Sequence, residues 1–548
     1  MSPFSRHINS PPADTRAVKH RVHEAFLENI VRVHRHPSNT PNVYNGSAGE
    51  IIADMRVFLA SPTKSLPTTP TSALIAVPFH DRHHGSRVAF LDTPVGPATL
   101  VLVRQLRLRQ APDSSAHKHA RRGKLDADVL EQVELAETWL AAVRLVEQAA
   151  QVAESEPLSD DGCEVLYGRA GLLYALLFLR NELDVTLRDL ARQGKVKDKV
   201  VRTVEGLCSD ECLKAVVEDI LRRGKFGAEL YREQLEESER EKAPRHMWRW
   251  HNSRYLGAAH GVAGILHMLV HAPSAIVLPH WDDILHTVEW LLAVQDPLGN
   301  WPTEAGQHMA HISGGAAVQP DTKRLGVNEE RDDTPVQWCH GAPGFVMLFS
   351  AILRRAAASP STFVLPEELH TSIRAATTRA GELIYTHGLL RKGVGLCHGV
   401  AGSVFALLAI SDALDEHATS PAHTPPTSSS PRSPRSFVMQ LSHHGSMRGS
   451  HIEAGYWMQR AAHLSDLAVG YRALSQEGQM NLPDHPYSLY EGLAGMCCAW
   501  AEVYIRLCAV EGSSNGHANG HSTANGSHHT PEHSHAGMPA YDDLTLLG

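Results

Sequence analysis

Residues 386–402 read THGLLRKGVGLCHGVAG and run into SVFALLAISDAL (403–414). Two glycines with two residues between them, usually with Ala before the second, open a stretch that is apolar nearly all round. Such a stretch reads as a buried helix rather than a surface one. The same element recurs along the chain: GSAG (46–49), GRAG (168–171), GVAG (261–264), GAPG (341–344), GVAG (399–402) and GLAG (492–495), with a degenerate TPVG at 93–96. Glycines at a helix start allow close backbone approach and leave free N–H groups facing out of the helix end. Between the elements lie helical segments with mixed faces, at 126–152, 210–240, 280–295 and 365–387.

The seven copies start 47, 75, 93, 80, 58 and 93 residues apart. That spacing is too uneven for a regular solenoid and suits a closed ring with insertions. The expected fold is all-α: an (α/α)7 toroid or barrel of seven helical hairpins, with the Gly-x-x-Gly motifs at the inner-helix N-termini around a central pocket. The barrel is expected over 16–511. Three polar stretches fall outside it: an N-terminus at 1–15, an insert at 416–450 rich in Pro, Ser and Thr, and a Gly/Asn/Ser/His tail at 512–548, all read as disordered. Six of the 36 histidines lie in that tail (517, 521, 528, 529, 533 and 535), where weak metal binding is the alternative to a solvated tail.

Two copies carry an extra signal. QWCHGAPG (337–344) and GLCHGVAG (395–402) place Cys-His directly before the glycines. Cys339 and Cys397 therefore occupy equivalent positions in successive repeats and face one pocket. Two thiolates and a histidine suit Zn²⁺, one per chain, and three protein ligands leave a fourth position open, as at a catalytic zinc. Such an ion can hold a thiol as its thiolate near neutral pH. Burial as small hydrophobes is the alternative for a single cysteine, and it is the reading for Cys163, Cys208, Cys212, Cys497, Cys498 and Cys508. YLGAAHGVAG (255–264) puts His260 at the position that the later repeats give to histidine, where it can act as general acid or base, a capping histidine being the alternative. His340 is a second candidate proton carrier, or a residue that holds the ligand loop. His267 and His271 form H-x-x-x-H without the glutamate of a zinc-protease helix and read as packing residues.

Together EVLYGRAGLLYALLFL (164–179), YLGAAHGVAGI (255–265), QWCHGAPG, THGLLRKGVGLCHGVAG and PDHPYSLYEGLAG (483–495) give a chain that resembles the eukaryotic LanC-like proteins, relatives of bacterial lanthionine cyclases. YNGSAG (44–49) and FLDTPVGP (90–97) fit its first two repeats, so the resemblance covers about 43–510 apart from insertions. It implies the toroid, and a zinc held by Cys339, Cys397 and His398. It also implies glutathione as ligand, contacted by Lys392 and by a four-residue loop that here reads Asn481-Leu482-Pro483-Asp484, with Asn and Leu where the family has Arg and Thr. The implied chemistry is addition of the glutathione thiol to dehydroalanine or dehydrobutyrine residues in peptides or proteins, with His260 supplying the proton. A non-enzymatic zinc- and glutathione-binding adaptor or signalling protein is the main alternative. A lanthionine cyclase and a toroid glycosidase, which would need two flanking carboxylates, rank below both.

The chain has 51 basic and 60 acidic residues, a net charge of −9, which argues against nucleic acid as partner. Eight cysteines in 548 residues argue against a disulfide scaffold. With no apolar leader at the N-terminus, and with the runs at 172–179 and 404–410 too short to span a bilayer, a soluble cytoplasmic protein is expected. Peripheral attachment at the plasma membrane is the variant reading, without an anchor or polybasic cluster to carry it.

Overall fold

The computed structural model describes residues 10–11, 15–62, 64–69, 74, 87–110, 125–307, 335–415, 455–515 and 536–546. Seven inner helices follow the seven Gly-x-x-Gly elements. They are α2 (Ser47–Ala60), α3 (Val95–Arg107), α5 (Arg169–Arg192), α8 (Val262–His271), α10 (Ala342–Ala358), α12 (Val400–Leu414) and α14 (Leu493–Asn515). The longer outer helices among the described residues are α1 (Thr15–His34), α4 (Leu125–Ser155), α6 (Lys199–Leu207), α7 (Asp210–Glu233), α9 (Trp281–Ala293), α11 (Glu367–His387) and α13 (Tyr456–Leu467). Among the described residues there is no strand, only two isolated bridges.

Inner and outer helices differ as their sequences dictate. Every residue of α8 is buried, as are Val400 through Ser411 of α12. On α11 the buried residues Leu369, Ile373, Ala376, Ala380 and Ile384 recur every three or four positions and leave the other faces to solvent. Two of the outer helices, α6 and α7, are capped by side chains: Asp198 accepts from the Val201 N–H and Ser209 from the Cys212 N–H. Inner helices start instead at a glycine without a side-chain cap, at Gly46, Gly168, Gly261 and Gly399.

The inner helices close a ring. Each packs on the next in chain order, and α14 packs on α2. The second glycine of each element explains the repeat physically. A Cβ on Gly264 would lie 1.8 Å from the Ala258 carbonyl oxygen and 2.9 Å from Val165 of the preceding repeat. Gly49 makes the same approach to Leu489, and Gly495 to Leu396, so the contact passes through every repeat and back to the first. Only a residue without a side chain permits that approach.

A circle of backbone hydrogen bonds runs along the same rim. Tyr44 N–H donates to Leu91 O (2.9 Å), Ala89 to Tyr167 O (3.0 Å), Val165 to Ala259 O (3.1 Å), Ala259 to Cys339 O (3.5 Å), Cys339 to Cys397 O (3.2 Å), Cys397 to Tyr490 O (2.7 Å) and Tyr490 to Tyr44 O (3.0 Å). The connectors before the helices are thereby satisfied without strands.

Two expectations need correction. Residues 536–546 are not part of a disordered tail: Met538, Ala540, Tyr541, Asp542 and Leu544 are all buried. The Tyr490 hydroxyl donates to Pro539 O at 3.2 Å, and the Tyr541 ring stands edge-on to Trp338 at 5.0 Å. The apolar MPAYDDL is short and follows a long polar stretch, so composition hid a segment that buries its side chains. Residues 512–515 likewise belong to α14. Second, Leu493–Val510 is long and apolar enough to cross a membrane, unlike the two shorter runs singled out in the sequence. It is the inner helix of the seventh repeat, and 67% of that window is buried within the fold. The 416–450 insert and most of 1–15 lie outside the described residues.

Candidate metal centre and proton-transfer pair

The ring sorts side chains by their distance from the first glycine of each element. Two positions before it stand Tyr44, Cys339, Cys397 and Tyr490; one position before it stand His260, His340, His398 and Glu491. Cys339 and Cys397 are neighbours on the circle, joined by the backbone bond between them. Their sulfurs and a ring nitrogen of His398 all lie within 4.8 Å of one another, with both cysteines buried and the histidine half-buried. Zn–S distances of about 2.3 Å and Zn–N of about 2.0–2.1 Å hold two ligands of one ion at most about 4.6 Å apart, close to the bound on this set, which fits zinc in donor type.

The two thiols are coupled. Cys339 is held below the ordinary thiol range by a hydrogen bond from Cys397 and by the Lys392 ammonium, against burial. Cys397 is pushed well up by the same pairing and by burial. The hydrogen bond to Cys397 raises His398. Tyr44 sits against the pair: burial first, then Cys397 and Cys339, push its phenol above the ordinary range and keep it a neutral O–H. Among the remaining cysteines, burial pushes Cys163, Cys208 and Cys498 up to about 12.

His260 is fixed from two sides. Its Nδ1 lies 3.1 Å from Glu164 Oε2, and its ring stacks on Trp250 at 3.9 Å with 6° between the planes. Glu164 is 1% exposed and is itself held by the backbone N–H groups of Leu166 (2.8 Å) and Tyr167 (2.7 Å). A carboxylate at Nδ1 selects the Nδ1–H tautomer and leaves Nε2 as the working nitrogen. The His340 ring centroid is 6.2 Å from that of His260. Burial, then His260 and Lys392, lower His340 to about 4, and its Nδ1 is buried without a hydrogen bond.

Lys392 is exposed and acts electrostatically on Cys339, His340 and His398. The loop 481–484 packs on the Lys392 loop: Asn481 N–H donates to Arg391 O at 2.6 Å, and Pro483 Cδ closes on Gly393, whose φ of +132° suits glycine. Asn481 and Asp484 are exposed, Pro483 is half-buried, and Leu482 is 73% exposed. Gly393, Asn481, Leu482 and Pro483 line a cavity of about 440 Å³ together with Arg35 and Arg472.

Sequence reasoning missed Tyr44, Glu491, Glu164 and Trp250. The first two share the register of the cysteines and histidines, a signal readable once the repeats are aligned. Glu164 lies four residues before its glycine and Trp250 in a connector, so neither has a register to reveal it.

A family model described as lanthionine synthetase C-like protein matches residues 141–424, just over half of the chain. The chain belongs to the lanthionine synthetase C-like family. Two curated LanC-like relatives are similar to it. One is LanC-like protein GCL1 of Arabidopsis thaliana, 28% identical over 62% of this chain and 54% of its own length. The other is Glutathione S-transferase LANCL1 of Danio rerio, 24% identical over 61% of this chain and 56% of its own. The chain thus matches little more than half the length of each relative. The solved structure of nisin cyclase aligns with a TM-score of 0.43 at 12% identity, over 89% of this chain and 94% of that one.

Proposed function

We propose that this LanC-like chain binds glutathione and adds its thiol to dehydroalanine or dehydrobutyrine residues of peptides or proteins. The observation that carries the reading is one rim that gathers a Cys₂His set, a histidine oriented by a buried carboxylate, and a lysine. The name of the Danio rerio relative, a glutathione S-transferase, supports the same class of reaction. Cys339, Cys397 and His398 would hold the zinc. Bound there, zinc supplies a lowered pKa for a coordinated thiol.

The chain's own residues do the rest. Lys392 and the 481–484 loop flank the site and would orient the glutathione carboxylates. In the addition a C–S bond forms at the β-carbon, the C=C π bond breaks, and its electron pair moves toward the carbonyl. The α-carbon then takes one proton. His260, with Nδ1–H on Glu164 and its ring plane held by Trp250, would accept the proton released by the glutathione thiol at Nε2 and pass it to that carbon. None of the eight cysteines is in a disulfide, which suits a reducing compartment and supports a cytoplasmic location.

The test is a purified, zinc-loaded chain with glutathione and a dehydroalanine peptide, read by mass spectrometry. The expected product is the peptide plus one glutathione, absent with Cys397→Ala. A zinc-loaded chain that binds glutathione and gives no product would leave the adaptor reading in its place. Fewer than about one zinc per chain would remove both.

A further inference from the structure

His267 and His271 lie in the same helix that His260 precedes, further along the barrel axis. At about 1.5 Å per residue they stand about 10 and 16 Å beyond it. Four residues apart, they share one helix face. Asp542 of the C-terminal segment meets them there, and all three side chains are sealed, at 0%, 0% and 2% exposure. His267 Nε2 is 3.3 Å and His271 Nε2 4.0 Å from Asp542 Oδ1, and one ligand atom from each residue falls within 4.8 Å of the others.

The imidazoles lack what buried polar groups normally have. His271 Nδ1 lies 2.8 Å from the His267 carbonyl oxygen, which fixes the N–H at Nδ1 and leaves a lone pair on Nε2. That Nε2, and both nitrogens of His267, have no aligned hydrogen-bond partner. Buried polar atoms left this way call for an explanation. The Tyr541 ring, stacked on His267 at 4.4 Å, holds the imidazole plane.

We infer that His267, His271 and Asp542 form a second metal site, for a divalent transition-metal ion such as Zn²⁺, that ties the C-terminal segment to the fourth inner helix. The donor set decides the class of ion. Arg354 Nη2 already lies 2.9 Å from Asp542 Oδ1, so the carboxylate's charge is shared. Two neutral imidazoles are then the strongest donors, which favours zinc, nickel or copper over calcium or magnesium. The shared carboxylate also sets the affinity below that of the two-cysteine centre. Because the site is sealed, the ion enters as the segment docks and leaves slowly afterwards.

The experiment uses the full chain with Cys339→Ser and Cys397→Ser, unfolded, stripped by chelator and refolded in the presence of Co²⁺. One equivalent should bind, with a visible spectrum that lacks sulfur-to-cobalt charge transfer. His271→Gln should weaken it by more than the roughly 10–100-fold that outer-shell partners contribute, and Arg354→Met should tighten it. Asp542→Asn, nearly isosteric, is the second variant if His271→Gln does not fold. If the cysteine variant itself does not fold, metal counting on the unmodified chain answers the question: two ions per chain, falling to one with Asp542→Asn. No retained cobalt would overturn the proposal. So would cobalt retained equally by His271→Gln and Asp542→Asn, since both keep the histidines between 517 and 535.

Discussion

The two histidine clusters sit at different depths of one barrel and are built by different rules. At the glycine rim, Cys339, Cys397, His260, His340 and His398 come from connectors in matching repeat positions, and His398 and His260 are only partly covered. Deeper in, His267 and His271 come from the body of a helix, and Asp542 comes from a segment outside the repeat, with no solvent reaching them. An aromatic layer of Trp338, Tyr490 and Tyr541 lies between. A site for turnover needs a free ligand position and an entrance; a site that clamps a chain end needs neither. The comparison teaches that repeat symmetry places the first kind, and that a departure from symmetry places the second.

The strongest way to break this contrast is Cys397→Ala. Loss of a thiolate ligand should empty the rim centre and abolish thioether formation, read by metal content and product mass, while residues 536–546 keep their protection from hydrogen exchange. Next, His260→Gln should cut turnover by about 10²–10⁴-fold with zinc retained, the range of a positioned general acid. From the other side, Tyr541→Ala should cost about 3–5 kcal/mol of stability, as for a buried aromatic, and expose the deep cluster. Thermal unfolding and hydrogen exchange read it, and rim zinc lost with it would show that the two clusters are not independent. Glu164→Gln should lower turnover by about 10–100-fold through loss of the His260 orientation, moving the pH profile of turnover rather than zinc content. The smallest effect is expected from Asn481→Arg. One added charge-assisted contact of about 1.5–3 kcal/mol should lower the KM for glutathione by about tenfold or more, with little change in kcat.

The ring was legible in the sequence because the glycine at each helix start answers a steric demand that seven copies share. Gly264 cannot carry a Cβ, and neither can Gly49 or Gly495, so the pattern survives although the spacing varies. Cys339, Cys397 and His398 were legible for the same reason: their chemistry is printed in register with those glycines. Glu164 and Trp250 were not, since what makes them matter is a tertiary approach to His260 that no local pattern encodes. Asp542 was furthest from view. Its partners, His267, His271 and Arg354, lie between 188 and 275 residues earlier. A polar stretch of the sort that usually ends a fold separates it from the last repeat.

The circle of backbone bonds from Tyr44 round to Tyr490 and back has no first or last member. An open solenoid must cap its terminal repeats; here α1 lies along α14, and the join between chain start and chain end is one more step of the same kind. The order in which the repeats are threaded is therefore separable from the order in which they touch. A permuted chain, with its ends linked and a new start opened between Asp415 and Gly455, retains all seven steps. For the same reason, extra length enters this fold between helices, where it interrupts no step, and not by adding an eighth repeat, which would open the circle.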